Sequence, residues 1–180
     1  MFDVVKKMDQ QAGHKIGSRW LLGLVLLATV TLGAGCSTTA KILNLDTEVV
    51  LNFQVWPKIN PDDNGRASPL VVRVYELKDS RQFLAEDFID LFEESKERLG
   101  ADLLAEHRLR ELTPGLNRTE TFELAPEVKY IGLLGEFIQY ENAQARVVFA
   151  VEPNRTTKKI IWINKTKLRV GDGDKPDDIE

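Results

Sequence analysis

The sequence predicts a mainly β protein: a β-sandwich with a short helical insertion, preceded by a signal segment that is cleaved away. Three observations lead there. Between residues 47 and 170, short runs of alternating or β-branched apolar residues are punctuated by Pro, Gly and Asn turns. Within residues 79–104 the apolar spacing changes to three, four and seven, the period of a helical face. Ahead of both, a basic stretch leads into a short apolar run, small residues and the only cysteine. The chain has 180 residues, 43% of them hydrophobic and 29% charged, a globular composition with room for one domain plus appendages.

At the N-terminus, Lys6, Lys7, Lys15 and Arg19 precede the uncharged run of residues 20–32 (WLLGLVLLATVTL). That run is shorter than the roughly 20 residues a membrane-spanning helix needs, and it suits a signal segment. Residues 32–36 (LGAGC) resemble the lipobox of bacterial lipoproteins, in which the cysteine becomes the new N-terminus and carries diacylglycerol and an amide-linked acyl chain. Gly33 stands where the pattern usually has Leu, and Leu32 lies one position further back. Residues 1–35 are expected to be removed, and residues 36–46 to serve as a lipid-bearing tether. Two or three acyl chains on Cys36 hold a protein stably at a bilayer, whereas one chain does so only marginally. Ser37, by resemblance to enterobacterial lipoproteins, points to the outer membrane. The covalent lipid on Cys36 is the only added group expected, with no other cofactor. After cleavage the net charge is about −6, which argues against nucleic acid as a partner. No cysteine is left to form a disulfide, so core packing must supply the stability.

The mature chain reads in order as follows. Residues 47–56 alternate, with Val49, Leu51, Phe53 and Val55 on one face and Val50, Asn52 and Gln54 on the other, a half-buried strand. Residues 57–68 (PKINPDDNGRAS) are turn chemistry throughout and form a long exposed loop, the first functional candidate. Residues 69–77 (PLVVRVYEL) are apolar on both faces and form a strand inside a layered packing. Asp79 and Ser80 can cap a helix bearing Phe83, Phe88, Leu91, Phe92 and Leu99, which Gly100 stops. Residues 101–104 fit a further helical turn. Residues 106–112 fit a strand or a helix end, with strand preferred because Pro114 and Gly115 turn the chain just after. Strands are then predicted over 118–124, 129–140, 144–152 and 158–170. The acidic tail, residues 171–180, has no apolar anchor and is expected to be disordered.

Residues suited to catalysis are sparse. His107 is the one histidine outside the signal segment, and its neighbours Glu106, Arg108 and Arg110 suit a rim position better than a triad. One histidine cannot build a zinc site. The aspartates of Asp62-Asp63-Asn64-Gly65 and Asp172-Gly173-Asp174 lack a calcium loop's full ligand ladder and are read as solvated turns. No catalytic residue and no metal ligand is assigned, and the chain is not expected to be an enzyme. The alternative reading is a periplasmic lipoprotein that binds a small ligand or acts on the cell wall, using carboxylates and Trp56 or Trp162 at the sandwich rim.

Several longer segments are similar to the TssJ (SciN/VasD-type) outer-membrane lipoproteins of type VI secretion systems. They are NPDDNGRASPLVVRVYELKDSRQF (60–83), AEDFIDLFE (85–93), LGADLL (99–104), LTPG (112–115) and KYIGLLGEF (129–137), which together span nearly all of the mature chain. The resemblance implies a transthyretin-like β-sandwich with a helical extension, anchored by lipid in the outer membrane and facing the periplasm. It also implies that the loop between the first two strands binds the periplasmic C-terminal region of TssM within a TssJ–TssL–TssM membrane complex. Here that loop comprises Pro57, Lys58, Ile59, Asn60, Pro61, Asp62, Asp63, Asn64, Gly65 and Arg66. Lys58, Ile59, Asn60, Asp62, Asp63 and Arg66 are the expected exposed contacts on a proline-stiffened loop. Asn60→Ala combined with Asp62→Ala is expected to weaken partner binding without moving the unfolding midpoint. Gly135 and Glu136 precede Phe137, where the resemblance leads one to expect Ala and a less charged residue.

Overall fold

The computed structural model describes residues 46–174, all within the second of two compact units, residues 44–180. The signal segment, Cys36, the first ten tether residues and residues 175–180 lie outside the described residues. Among the described residues eight strands form two four-stranded sheets, as the predicted sandwich requires. In chain order the elements are β1 (Thr47–Val55), β2 (Val72–Leu77), α1 (Arg81–Ala85), α2 (Phe88–Glu93), α3 (Ser95–Leu99), a 3-10 turn (Gly100–Asp102), β3 (Leu103–Arg108), β4 (Arg118–Leu124), β5 (Tyr130–Gly135), a second 3-10 turn (Tyr140–Asn142), β6 (Arg146–Ala150), β7 (Thr156–Asn164) and β8 (Lys167–Gly171). The first sheet runs β4-β1-β7-β8 and the second β3-β2-β5-β6. Every pairing is antiparallel except β1 with β7.

The core lies between the sheets. Val49, Leu51, Phe53 and Val55 of β1, Ile161 and Ile163 of β7 and Leu168 of β8 face Val72 and Val74 of β2 and Ile131 and Leu133 of β5, all of them buried. β1 shows alternation because its other face meets solvent. β2 shows none because its sheet is covered on both sides. Val72 and Val74 face the core, while Tyr75 and Leu77 face the three helices. Tyr75 donates its hydroxyl to the carbonyl of Leu91 at 3.1 Å and meets Phe83 at a ring separation of 5.2 Å. Burial pushes the Tyr75 phenol well above its ordinary value, so it stays a donor. Across the strand from Tyr75 stands Gly132, and a Cβ there would come within 2.8 Å of the Phe83 ring. The bare backbone lets Phe83 lie down on the sheet, and Arg146 fixes it by donating to the carbonyls of Phe83 (2.8 Å) and Glu86.

Four sequence expectations change. The helical insertion is three short helices, broken at Glu86 and Glu94, and it ends before β3 begins at Leu103. Residues 129–140 are strand only over Tyr130–Gly135, after which the chain turns. The single strand expected over 158–170 is the hairpin of β7 and β8, closed by Lys165 and Thr166 with Asn164 opposite Lys167. Lys165 takes a φ of 51° there, a position usually signalled by Gly or Asn, so the turn left no trace in composition. The acidic tail starts later than expected, since Gly171 closes β8 and Asp172 is paired with Lys159.

Candidate partner-docking surface

The loop between β1 and β2 is built around two buried residues, which corrects the expectation that Ile59 and Asn60 are exposed. Ile59 is fully buried and Asn60 is 3% exposed. A loop that long needs internal anchors to hold one shape, and Ile59 supplies an apolar one. Asn60 supplies a polar one. Its backbone N–H donates to the carbonyl of Lys165 (2.8 Å), its Nδ2 to the carbonyl of Pro69 (2.7 Å), and its Oδ1 accepts from the N–H of Ile138 (2.8 Å). One asparagine thereby joins the loop to the β7–β8 turn, to its own return strand and to the segment after β5. Its φ of 45° is a left-handed conformation that Asn tolerates better than most residues.

Beyond this anchor the loop reverses on Asp62. Its Oδ1 accepts from the N–H groups of Asn64 and Arg66, both at 2.9 Å, and its Oδ2 accepts from the Arg66 guanidinium at 2.7 Å. Gly65, at φ 75°, donates its N–H to the Asp62 carbonyl (2.8 Å) and closes the turn. The backbone N–H of Arg66, followed by its side chain, holds the Asp62 carboxyl below the usual carboxylate range. Both oxygens of the Asp62 carboxylate are therefore engaged inside the turn. Lys58, Asp63, Asn64, Gly65 and Arg66 are exposed and Pro61 and Asp62 half-buried, while the exposed Pro57 packs beside Gly115 of the 113–116 turn. The structure thus brings the predicted loop residues together as a preformed tip, with Ile59 and Asn60 as its foundation.

Two exposed apolar side chains that sequence reading missed stand at the same end. Leu116 (63% exposed) follows Gly115, whose N–H donates to the Trp56 carbonyl at 3.1 Å. Ile138 (50% exposed) follows the strand whose extension hid it. Leu116 left a signal in the sequence, an apolar residue after Pro-Gly in a turn.

A second feature adjoins this end. Phe92, Phe88 and Tyr140 stack in a ladder with ring separations of 5.9 and 4.9 Å, and the Arg73 guanidinium lies 4.7 Å from the Phe92 centroid. Arg73 also pairs with Glu136 (2.7 Å) and Glu106 (3.1 Å), Arg108 pairs with Glu136 (2.9 Å), and Ser95 donates to Glu106 (2.6 Å). Glu136 is therefore a clamp across one sheet, joining the end of β5 to β2 through Arg73 and to β3 through Arg108, while Arg73 reaches the helices by lying over Phe92. Burial works against its charge, but hydrogen bonds from Arg108 and Arg73 prevail and hold its carboxyl below the ordinary value. Gly135 leaves room for the Phe137 ring to fold back, since a Cβ there would lie 2.8 Å from it.

His107 sits at the open edge of the sandwich, its Nε2 2.7 Å from Oε1 of the buried Glu76 and its ring 5.1 Å from that of Phe122. Trp56 packs against the core, and Trp162 lies buried over Gly171. Among the described residues no group of three His, Cys, Asp or Glu side chains is placed to hold a metal ion, and no helix is long and apolar enough to cross a membrane.

No curated protein sequence matches the chain. Among solved structures, the type VI secretion lipoprotein TssJ1 from Pseudomonas aeruginosa is similar, with a TM-score of 0.67 and 27% identity, covering 73% of this chain and 99% of that one. Lip from Serratia marcescens, a membrane-bound component of the type VI secretion system, shares the fold at a TM-score of 0.63 and 21% identity, covering 70% and 98%. A chain from a structure described as a type VI membrane complex matches with a TM-score of 0.62 and 27% identity over 70% of this chain and 98% of that one. The family model for type VI secretion lipoproteins (VasD, EvfM, TssJ) matches residues 47–171, from the start of β1 to the end of β8. This chain belongs to the type VI secretion lipoprotein family.

Proposed function

We propose that this lipoprotein is fastened to the outer membrane by acyl chains on Cys36 and links it to the inner membrane by gripping the periplasmic C-terminal region of TssM with the β1–β2 loop. The role is structural, with no catalytic step. The observation that carries the reading is the Asn60 anchor, which holds a loop of turn-forming residues in one shape and presents Lys58, Asp63, Asn64 and Arg66 at the end of a rigid sandwich. A preformed tip loses little conformational freedom on docking, the condition under which a small contact area gives useful affinity. Similar solved structures include chains described as a type VI membrane complex and as the TssM C-terminal domain, and this supports TssM as the partner.

Two substitutions test the two halves. Cys36→Ser is expected to move the protein from the membrane fraction to the soluble periplasmic fraction and to stop secretion. Retention of that variant in the membrane would refute lipid anchoring. Asp62→Ala with Arg66→Ala removes the turn's internal ion pair and is expected to weaken binding to the periplasmic region of TssM. Wild-type affinity in that variant would refute the loop assignment.

A further inference from the structure

A groove of about 320 Å³ lies between α2 and the segment after β5, lined by Phe88, Ile89, Phe92, Glu93, Glu136, Phe137 and Tyr140. Its size is at the bottom of the range for small-molecule sites, roughly 300–1,000 Å³, so it suits one or two apolar side chains better than a free ligand. Ile89 and Phe92 remain 40% and 36% exposed, and with Leu84 they make the helical insertion the most apolar exposed part of the described surface. Clustered exposed apolar residues with a polar rim mark an interaction site more often than scattered ones do.

The segment 137–140 serves the groove and the loop together. Phe137 and Tyr140 line the groove, while the Ile138 N–H donates to Asn60 and the Gln139 amide reaches the Asp62 carbonyl at 3.5 Å. Groove and loop are thus two parts of one continuous surface. The charge at the rim has a sign. Glu136 is neutralised by Arg73 and Arg108, but Glu93 is exposed and makes no ion pair among the described residues.

We infer that this groove is a second docking element for the polypeptide that binds the β1–β2 loop, and that it takes a segment with a Leu, Ile or Phe side chain next to a Lys or Arg. The apolar side chain enters between Ile89 and Tyr140, and the basic group meets Glu93. The inference rests on the loop reading above, since it assigns the same partner to both elements.

The test measures binding of the full lipidated chain, in detergent micelles, to the purified periplasmic region of TssM from the same cells. Ile89→Asp is expected to weaken binding at least tenfold and Glu93→Arg about fivefold, with the unfolding midpoint unchanged for the exposed Glu93 site. A photo-crosslinker at position 89 is expected to capture TssM, and one at position 121, on the outer face of the other sheet, is not. If the Asp62→Ala, Arg66→Ala variant binds weakly while Ile89→Asp and Glu93→Arg stay within twofold of wild type, the groove inference is wrong and the loop reading stands. If the wild-type chain does not bind this region at all, both fail. If position 89 crosslinks only to another copy of this chain, the groove is a self-association site and the inference is overturned.

Discussion

Replacing Asn60 by alanine removes three things at once. The Pro69 carbonyl loses its 2.7 Å donor, the Ile138 N–H loses its 2.8 Å acceptor, and a left-handed backbone position receives a residue that resists it. Each hydrogen bond contributes about 1 kcal/mol net and more where its partner is left buried and unpaired. Left-handed strain in alanine adds roughly 1 kcal/mol. The expected loss is about 3 kcal/mol, or a fall of about 10 °C in the unfolding midpoint for a domain of this size. This reverses the expectation that an Asn60→Ala, Asp62→Ala pair leaves the midpoint in place. Asn60→Gly separates the causes, because it forfeits the same hydrogen bonds without the strain and should fall about 1 kcal/mol short of alanine. Asn60→Asp keeps the acceptor for Ile138 but sets a carboxylate oxygen against the Pro69 carbonyl in a buried site, and should cost at least as much as alanine. The assay is urea unfolding followed by tryptophan fluorescence, with the slope required to stay constant. A cost below about 1 kcal/mol for Asn60→Ala would show that the loop is held by other contacts.

Further outcomes follow from the same geometry. Gly132→Ala places a Cβ against the Phe83 ring and is expected to destabilise by about 1–3 kcal/mol, with faster proteolysis in α1 and α2; adding Phe83→Leu should recover part of the loss, and purely additive effects would refute the contact. His107→Ala leaves the buried Glu76 carboxyl without its 2.7 Å partner and should cost about 1–3 kcal/mol, less when Glu76→Gln is added; unchanged stability would show the pair to be incidental. Glu136 is held below its ordinary pKa of 4.5 in the folded state, so its contribution is present above pH 4.5 and is lost as pH falls through the lower folded value. Stability against pH should therefore fall more steeply below pH 4.5 for the wild-type chain than for Glu136→Gln, and parallel curves would refute the clamp.

Legibility in the sequence followed how many faces of an element meet water. β1 could be read residue by residue because one face is solvated, so burial and periodicity coincide. β2 could be recognised as a strand but not assigned a covering layer, since β-branched runs look the same whether helices or a second sheet lie above them. The helical face of Phe83, Leu91 and Leu99 was correct in its buried members, yet no Pro or Gly marks the breaks at Glu86 and Glu94, so composition did not signal them. Within the docking surface, turn chemistry located the loop. It could not show that Asn60 points inward, because its partners Pro69, Ile138 and Lys165 are assembled only by the tertiary fold. Glu136 looked out of place for the same reason, its two arginines arriving from β2 and β3.

The parallel pairing of β1 with β7 sets when the first strand of the sandwich can be locked in place. Glu48 meets Thr156 across a separation of 108 positions, so closing that ladder costs loop entropy over most of the domain before any bond is gained. Non-local strand pairing of this kind belongs to the slower class of folding topologies, in the millisecond to second range. The first strand of the sandwich is thus made early but locked late, and a chain truncated before β7 would leave one edge of β1 unpaired.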